Sequence, residues 1–253
     1  MTDRAIIFLH GWLMTPEMWD HQIEAFGADY RCIAVAQPGH GGPKFEESVT
    51  MAEWADHLAA YLSDLGVERA VFVGHSMGGF LIQEMWRRHM DRVVALAPVS
   101  IGDEAWPEER RQGFLERVDR CAAEWTVPLA SEMYGRLIGE TFLRRNPGWV
   151  PAQCKVAAQR FDFAAIARLG RAIASHDDFR TSSETITVPV VAIHGLADAA
   201  VNVDESRRMV ARIPGARIVE LPGVGHAPPM ESPERTTDAL SDLLGEVEDK
   251  NLW

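Results

Sequence analysis

Apolar residues along this chain alternate between two spacings. Short runs at 5–9, 31–36, 70–73, 93–99, 188–193 and 217–221 read as strands, being rich in β-branched residues and bounded by turn formers. Between them, 16–26, 51–65, 77–89, 204–213 and 234–247 carry helical spacing. In the second of these, Met51, Trp54, Ala55, Leu58, Leu62 and Leu65 recur at three- and four-residue steps, which gives a single buried stripe, and Gly66 stops the helix. Val93 to Val99 holds no polar side chain, as a strand covered on both faces requires. Strands that each feed a helix before the next strand build a parallel sheet.

Residues 101–186 break this alternation. They hold no strand signal but many aromatics, among them Trp106, Phe114, Trp125, Tyr134, Phe142, Trp149 and Phe163, with prolines at 107, 128, 147 and 151 dividing about four helices. The expected division is therefore a core of 1–100 and 187–253 with a helical cap, 101–186, inserted in it. Most of the cap aromatics are expected to pack on one another. Trp125, Met133 and Phe142, together with Trp12 and Trp19 of the core, are expected to line an apolar substrate site beneath the cap.

The chemistry concentrates in Gly74-His75-Ser76-Met77-Gly78-Gly79, between the strand ending at Val73 and the helix that contains Leu81, Ile82 and Met85. A serine flanked at two residues' distance by glycines can occupy a tight strand-to-helix turn that leaves its hydroxyl exposed. The N-terminus of the following helix favours negative charge there. A serine hydroxyl needs a base. Of nine histidines, His226 stands in Pro222-Gly223-Val224-Gly225-His226-Ala227-Pro228-Pro229, a loop of turn formers directly after a strand. His75 and His10 are expected to shape their loops. Asp198 follows the strand that ends at Ile193 and can hold the imidazole in the right tautomer; Asp204 is expected to cap the helix it begins. Ser76, Asp198 and His226 all fall at carboxyl ends of strands, where open α/β sheets place their sites. Two backbone donors, Met77 N–H and Trp12 N–H in the His10-Gly11-Trp12 loop, are expected to form an oxyanion hole.

His10-Gly11, Pro38-Gly39-His40-Gly41, Gly74 to Gly79, Gly195 to Asp198, and Gly225-His226 with Glu231-Ser232-Pro233-Glu234 together resemble the α/β-hydrolase family over nearly the whole chain outside the cap. The resemblance is to its small serine esterases, enol-lactonases, carbon–carbon bond hydrolases and perhydrolases. It implies an α/β fold with a mostly parallel sheet, helices on both faces and a cap. The family usually opens with two antiparallel strands before the His-Gly strand; here that strand begins at Ala5, so a reduced sheet of about six strands is expected, with an exposed edge near 31–36. Ala36-Gln37 stands where the family commonly has an aspartate, which removes a polar anchor from that turn. The implied activity is cleavage of esters or lactones of a small, largely apolar substrate through an acyl-enzyme. Carbon–carbon bond hydrolysis, perhydrolysis and a ligand receptor without turnover remain open on the same frame.

Charge and cysteines narrow the partners. With 37 acidic and 25 basic residues the formal charge is −12, which repels phosphate backbones and anionic lipid, so neither nucleic acid nor membrane is an expected partner. Met1-Thr2-Asp3-Arg4 leads into an apolar run too short for a signal sequence, and three widely spaced cysteines form no C-x-x-C pair. A cytoplasmic enzyme, monomer or homodimer, is expected. No histidine spacing of the H-x-H or H-E-x-x-H type occurs, and the chemistry calls for no metal or organic cofactor.

Overall fold

The computed structural model describes residues 4–44 and 50–253; the Met1-Thr2-Asp3 start lies outside them. Six strands, β1 (Ala5–Leu9), β2 (Arg31–Val35), β3 (Ala70–His75), β4 (Val93–Val99), β5 (Val191–Gly195) and β6 (Arg217–Leu221), form one sheet in the order β2-β1-β3-β4-β5-β6. Every pairing is parallel. β2 is an edge strand with half-buried residues, whereas β1, β3, β4 and β5 are buried throughout. The chain goes from β1 outward to β2 on one side and then to β3 on the other. The crevice at such a reversal, beyond the carboxyl ends of β1 and β3, is where parallel sheets bind ligands.

Helices α1 (Asp20–Phe26), α2 (Met51–Asp64) and α3 (Met77–His89) connect the first four strands. Between β4 and β5 the described chain is helical throughout its regular elements: α4 (Glu108–Ala123), α5 (Val127–Leu137), α6 (Glu140–Arg145), α7 (Trp149–Arg160), α8 (Phe163–Ala174) and α9 (Arg180–Ser183). Beyond β5 come α10 (Val203–Arg212), α11 (Pro228–Glu231) and α12 (Pro233–Asp249). Ile6, Val71 and Val73 meet Phe26 of α1 and Leu240, Leu243 and Leu244 of α12 on one side of the sheet. The two-residue period of a strand turns Ile7 and Phe72 to the other side, where α3 packs on β3 and β4 and against α2.

Three boundaries differ from the expected ones, each for a local reason. The expected helix 16–26 is divided into a 3-10 turn, Pro16–Trp19, and α1, because Trp19 has non-helical dihedrals (φ −102°, ψ 3°). The strand expected at 188–193 is shifted to Val191–Gly195, since Pro189 has no N–H to give a ladder and contributes only its carbonyl, to Leu96 N–H at 3.0 Å. Asn202, not Asp204, caps α10: its side chain accepts from Asp204 N–H at 2.9 Å and a capping box forms with Glu205. Asp204 instead pairs with Arg207 at 2.7 Å. Gly66 has φ +71°, the left-handed conformation expected of a helix stop.

Helices α4 and α8 touch closely because Gly170 lacks a side chain: a Cβ there would lie 2.6 Å from Val118 Cγ2. Gly170→Val is therefore expected to force the pair apart at a cost of about 1 to 3 kcal/mol, lowering Tm by roughly 3 to 10 °C. Adding Val118→Ala should recover part of the loss. A melting curve that Gly170→Val leaves in place would show the contact to be slack.

Candidate active site

β3 and α3 leave Ser76 alone between them, with φ 50° and ψ −110°. A non-glycine residue in this region costs of order 1–3 kcal/mol, so its surroundings must impose it. They do so by close approach: a Cβ on Gly74 would lie 2.2 Å from Gly78 O, and one on Gly78 would lie 2.3 Å from Leu9 O. Ser76 N–H donates to Val99 O at 2.9 Å and its carbonyl accepts from Gly79 N–H at 2.7 Å. The residue is left partly exposed, lining a cavity that it shares with Trp12, Met77 and Phe80.

His226 lines the same cavity. Its Nδ1–H donates to Asp198 Oδ2 at 2.7 Å, which leaves Nε2 as the nitrogen with a free lone pair. The Asp198 side chain is only 1% exposed; two backbone donors satisfy it, Ala200 N–H at 2.8 Å and Val201 N–H at 2.9 Å, and His194 Nε2 lies 3.2 Å from Oδ2. Burial alone would raise the Asp198 carboxyl's pKa, but His226 and His194 beside it hold it well below the usual carboxylate range. The loop is fixed from two sides. Glu231 accepts from Gly225 N–H at 2.7 Å and from Ala227 N–H at 3.0 Å, and His75 Nε2–H donates to the His226 carbonyl at 2.7 Å.

Trp12 and Met77 present backbone N–H groups that no acceptor among the described residues engages. The loop carrying Trp12 is locked by two neutral histidines. His10 Nδ1–H donates to Gly11 O at 2.9 Å while its Nε2 accepts from Gln37 N–H at 3.0 Å. His40 Nδ1–H donates to Pro38 O at 2.9 Å and its Nε2 accepts from Leu13 N–H at 3.0 Å. Gln37 overturns the expectation that its turn lacks a polar anchor. It is buried, donates to His10 O and accepts from Trp54 Nε1 at 3.2 Å, so an amide bridges three elements here.

Residues 6–239 match the sequence profile of the Alpha/beta hydrolase family. The protein belongs to this family. It is similar to a pimeloyl-(acyl-carrier protein) methyl ester esterase of Aromatoleum aromaticum, 28% identical over 94% of this chain and 97% of the relative. A bifunctional esterase/perhydrolase of Acinetobacter calcoaceticus is 27% identical over 91% of this chain and 87% of its own. Among solved structures, a thermophilic esterase from Thermogutta terrifontis superposes with a TM-score of 0.88 at 26% identity, over 96% of this chain and 90% of that one.

Of the hydrolase's five expected substrate contacts, Trp12 and Met133 do line the cavity. The other three are not among its lining residues: Trp19 is in the core, while Trp125 and Phe142 are half-buried and packed against it. Trp19 is fully buried with its ring 5.2 Å from that of Phe8, Trp125 packs on Phe163 and Tyr134, and Phe142 sits against Trp149. Aromatic side chains serve cores and sites equally, so residue type alone could not separate them. The helical segment contributes Trp106, Phe114 and Leu137 to the cavity instead, together with Arg110, Arg117 and Arg136. The arginines were legible only as spacing: Arg110, Phe114 and Arg117 share one face of α4 at i, i+4 and i+7. His194 and Glu231 were likewise missed as supports of the Asp198–His226 pair. No helix of the described residues is long and apolar enough to cross a membrane.

Burial depresses His10 and His75 to about 3 and His40 to about 4, from 6.5. Below pH 6.5 the unfolded chain takes up protons at these positions and the folded chain does not, so stability is lost as pH falls toward the folded values. Three such groups give a slope approaching about 4 kcal/mol per pH unit, at about 1.4 each. Tm measured at constant ionic strength is expected to drop steeply between pH 6.5 and 5. A flat profile over that interval would mean that these rings are protonated in the native state.

Proposed function

We propose that this hydrolase cleaves carboxylic esters, lactones included, through an acyl-enzyme on Ser76, with residues 101–186 acting as a cap over the acyl site. One observation carries the reading: His226 commits Nδ1 to Asp198 and lines the same cavity as Ser76, leaving Nε2 free to act as base. As Ser76 Oγ attacks the carbonyl carbon, its proton passes to His226 Nε2. The carbonyl oxygen becomes an oxyanion that the N–H groups of Trp12 and Met77 hold. Collapse breaks the bond to the alkoxy group, which leaves with the proton from His226. Water then gives a proton to Nε2 and attacks the acyl carbon, releasing the acid and restoring the Ser76 hydroxyl. Asp198 stays ionised and steadies the imidazolium. The likeness to an esterase/perhydrolase favours a second outcome of the same intermediate, with hydrogen peroxide in place of water. The unpaired thiols of Cys32, Cys121 and Cys154 support a cytoplasmic location.

With a p-nitrophenyl ester, Ser76→Ala is expected to lower kcat by about 10³ to 10⁶-fold and Asp198→Asn by about 10⁴-fold, with Ser76→Ala keeping the wild-type melting curve. A fluorophosphonate should label wild type stoichiometrically and Ser76→Ala not at all. Wild-type turnover by a folded Ser76→Ala variant would remove the assignment; an unlabelled wild type would favour a receptor without turnover.

A further inference from the structure

The cavity above Ser76 is walled mainly by apolar and aromatic residues, yet three arginines are among the residues that line it. Arg110 is neutralised, with Nη1 2.7 Å from a Glu205 carboxylate oxygen and the guanidinium 4.5 Å from the Trp106 ring centroid. Arg117 of α4 and Arg136 of α5 differ from it. Neither makes a hydrogen bond or ion pair among the described residues; Arg117 is half-buried and lies over the Phe114 ring at 5.9 Å, while Arg136 is exposed at the cavity's border. Of the carboxylates near Arg117, Glu132 is taken by Arg120 through two bonds of 2.7 and 2.6 Å, and Glu116 is exposed. Burial, and then the charge of Arg136 beside it, push the Arg117 pKa down. Two like charges from adjacent helices thus border one cavity with no paired carboxylate of their own, an arrangement that a bound anion would relieve.

We propose that Arg117 and Arg136 form an anion subsite on the helical wall, and that the substrate carries a carboxylate separated from its scissile ester by an apolar spacer, as in the half-ester of an aliphatic dicarboxylic acid. The position of the ester rests on the hydrolase reading above; the anion subsite rests on the arginines alone. Trp12, Phe114 and Met133 suit the spacer, being apolar and shared by the same cavity. Arginine suits the far end, since its planar fork matches a carboxylate with two parallel bonds.

Calorimetry on Ser76→Ala, which removes the proposed nucleophile, tests the subsite apart from the chemistry. The monomethyl ester of adipic acid, an anion at pH 7, is expected to bind about 10- to 100-fold more tightly than dimethyl adipate. Adding Arg117→Gln and Arg136→Gln should abolish that preference. Arg144→Gln, which removes an exposed α6 charge paired with Glu140 at 3.4 Å, should preserve it. Equal binding of the two esters, no binding of the half-ester, or a preference that survives the double substitution or is lost equally in the Arg144 control would overturn the subsite. Wild-type turnover of both esters is measured alongside. If neither is hydrolysed while the arginine-dependent preference holds, the subsite stands and the hydrolase reading falls.

Discussion

A carboxylate taken out of water must find its compensation inside the protein, and in this fold the demand falls on Asp198. An isolated buried charge costs several kcal/mol, and removing one partner of a buried pair typically costs about 3–5 kcal/mol. The compensation comes from three separate places in the chain. His194 lies in the last turn of ladder of β5, Ala200 and Val201 lie on the approach to α10, and His226 lies in the loop after β6. One charge therefore fixes the relative positions of three loops at the same end of the sheet. The orientation of the His226 ring follows from this, since its Nδ1–H has one acceptor and the loop on either side of it is held by Glu231 and His75.

The opposite side of the crevice is held by neutral groups. His10 and His40 each donate from Nδ1 and accept at Nε2, which only an uncharged imidazole can do, and burial keeps them uncharged. A positive ring in either place would lose the backbone N–H that it now accepts. The arrangement leaves the N–H groups of Trp12 and Met77 unengaged without leaving the loop itself loose, because the constraint falls on Leu13, Gln37 and the carbonyls on either side. Strain is admitted at two residues bordering this space, Leu13 at φ 61° and Ser76 at φ 50°, and both are buried among fixed neighbours or held by backbone bonds.

Much of this was legible in the residues, and what was not has a common cause. The glycines around Ser76 announce their purpose because the backbone approach they permit is local, within one turn of chain. Ser76, Asp198 and His226 could be placed at strand ends because period-two apolar runs mark those ends well. Gln37 was read as the loss of an anchor since its partners, His10 and Trp54, are 27 and 17 residues away and no local spacing joins them. Trp19, Trp125 and Phe142 lie outside the cavity's lining for the same reason in reverse: whether a ring faces a cavity or the core depends on which helix covers it, and periodicity does not report that. The arginines of α4 and α5 drew no notice in the sequence, because only the tertiary structure brings half-buried Arg117 and exposed Arg136 to the border of one cavity.

The last point bears on how a protein of net charge −12 can seat an anion. Its acidic surface repels such a ligand at long range, but in physiological salt exposed charges are screened beyond about 8 Å. At the cavity's border the balance is set locally, and the neighbouring Glu205 and Glu132 are already committed to Arg110 and Arg120. Those two pairs separate the cations into neutralised and available ones. Had either glutamate turned instead to Arg117, only Arg136 would be left without a carboxylate. Since neither does, the chamber combines an apolar middle with a positive border, and a ligand that matches only one of the two leaves part of it unsatisfied: a wholly apolar ester leaves both arginines without a counter-ion, while a small anion leaves the aromatic wall unfilled.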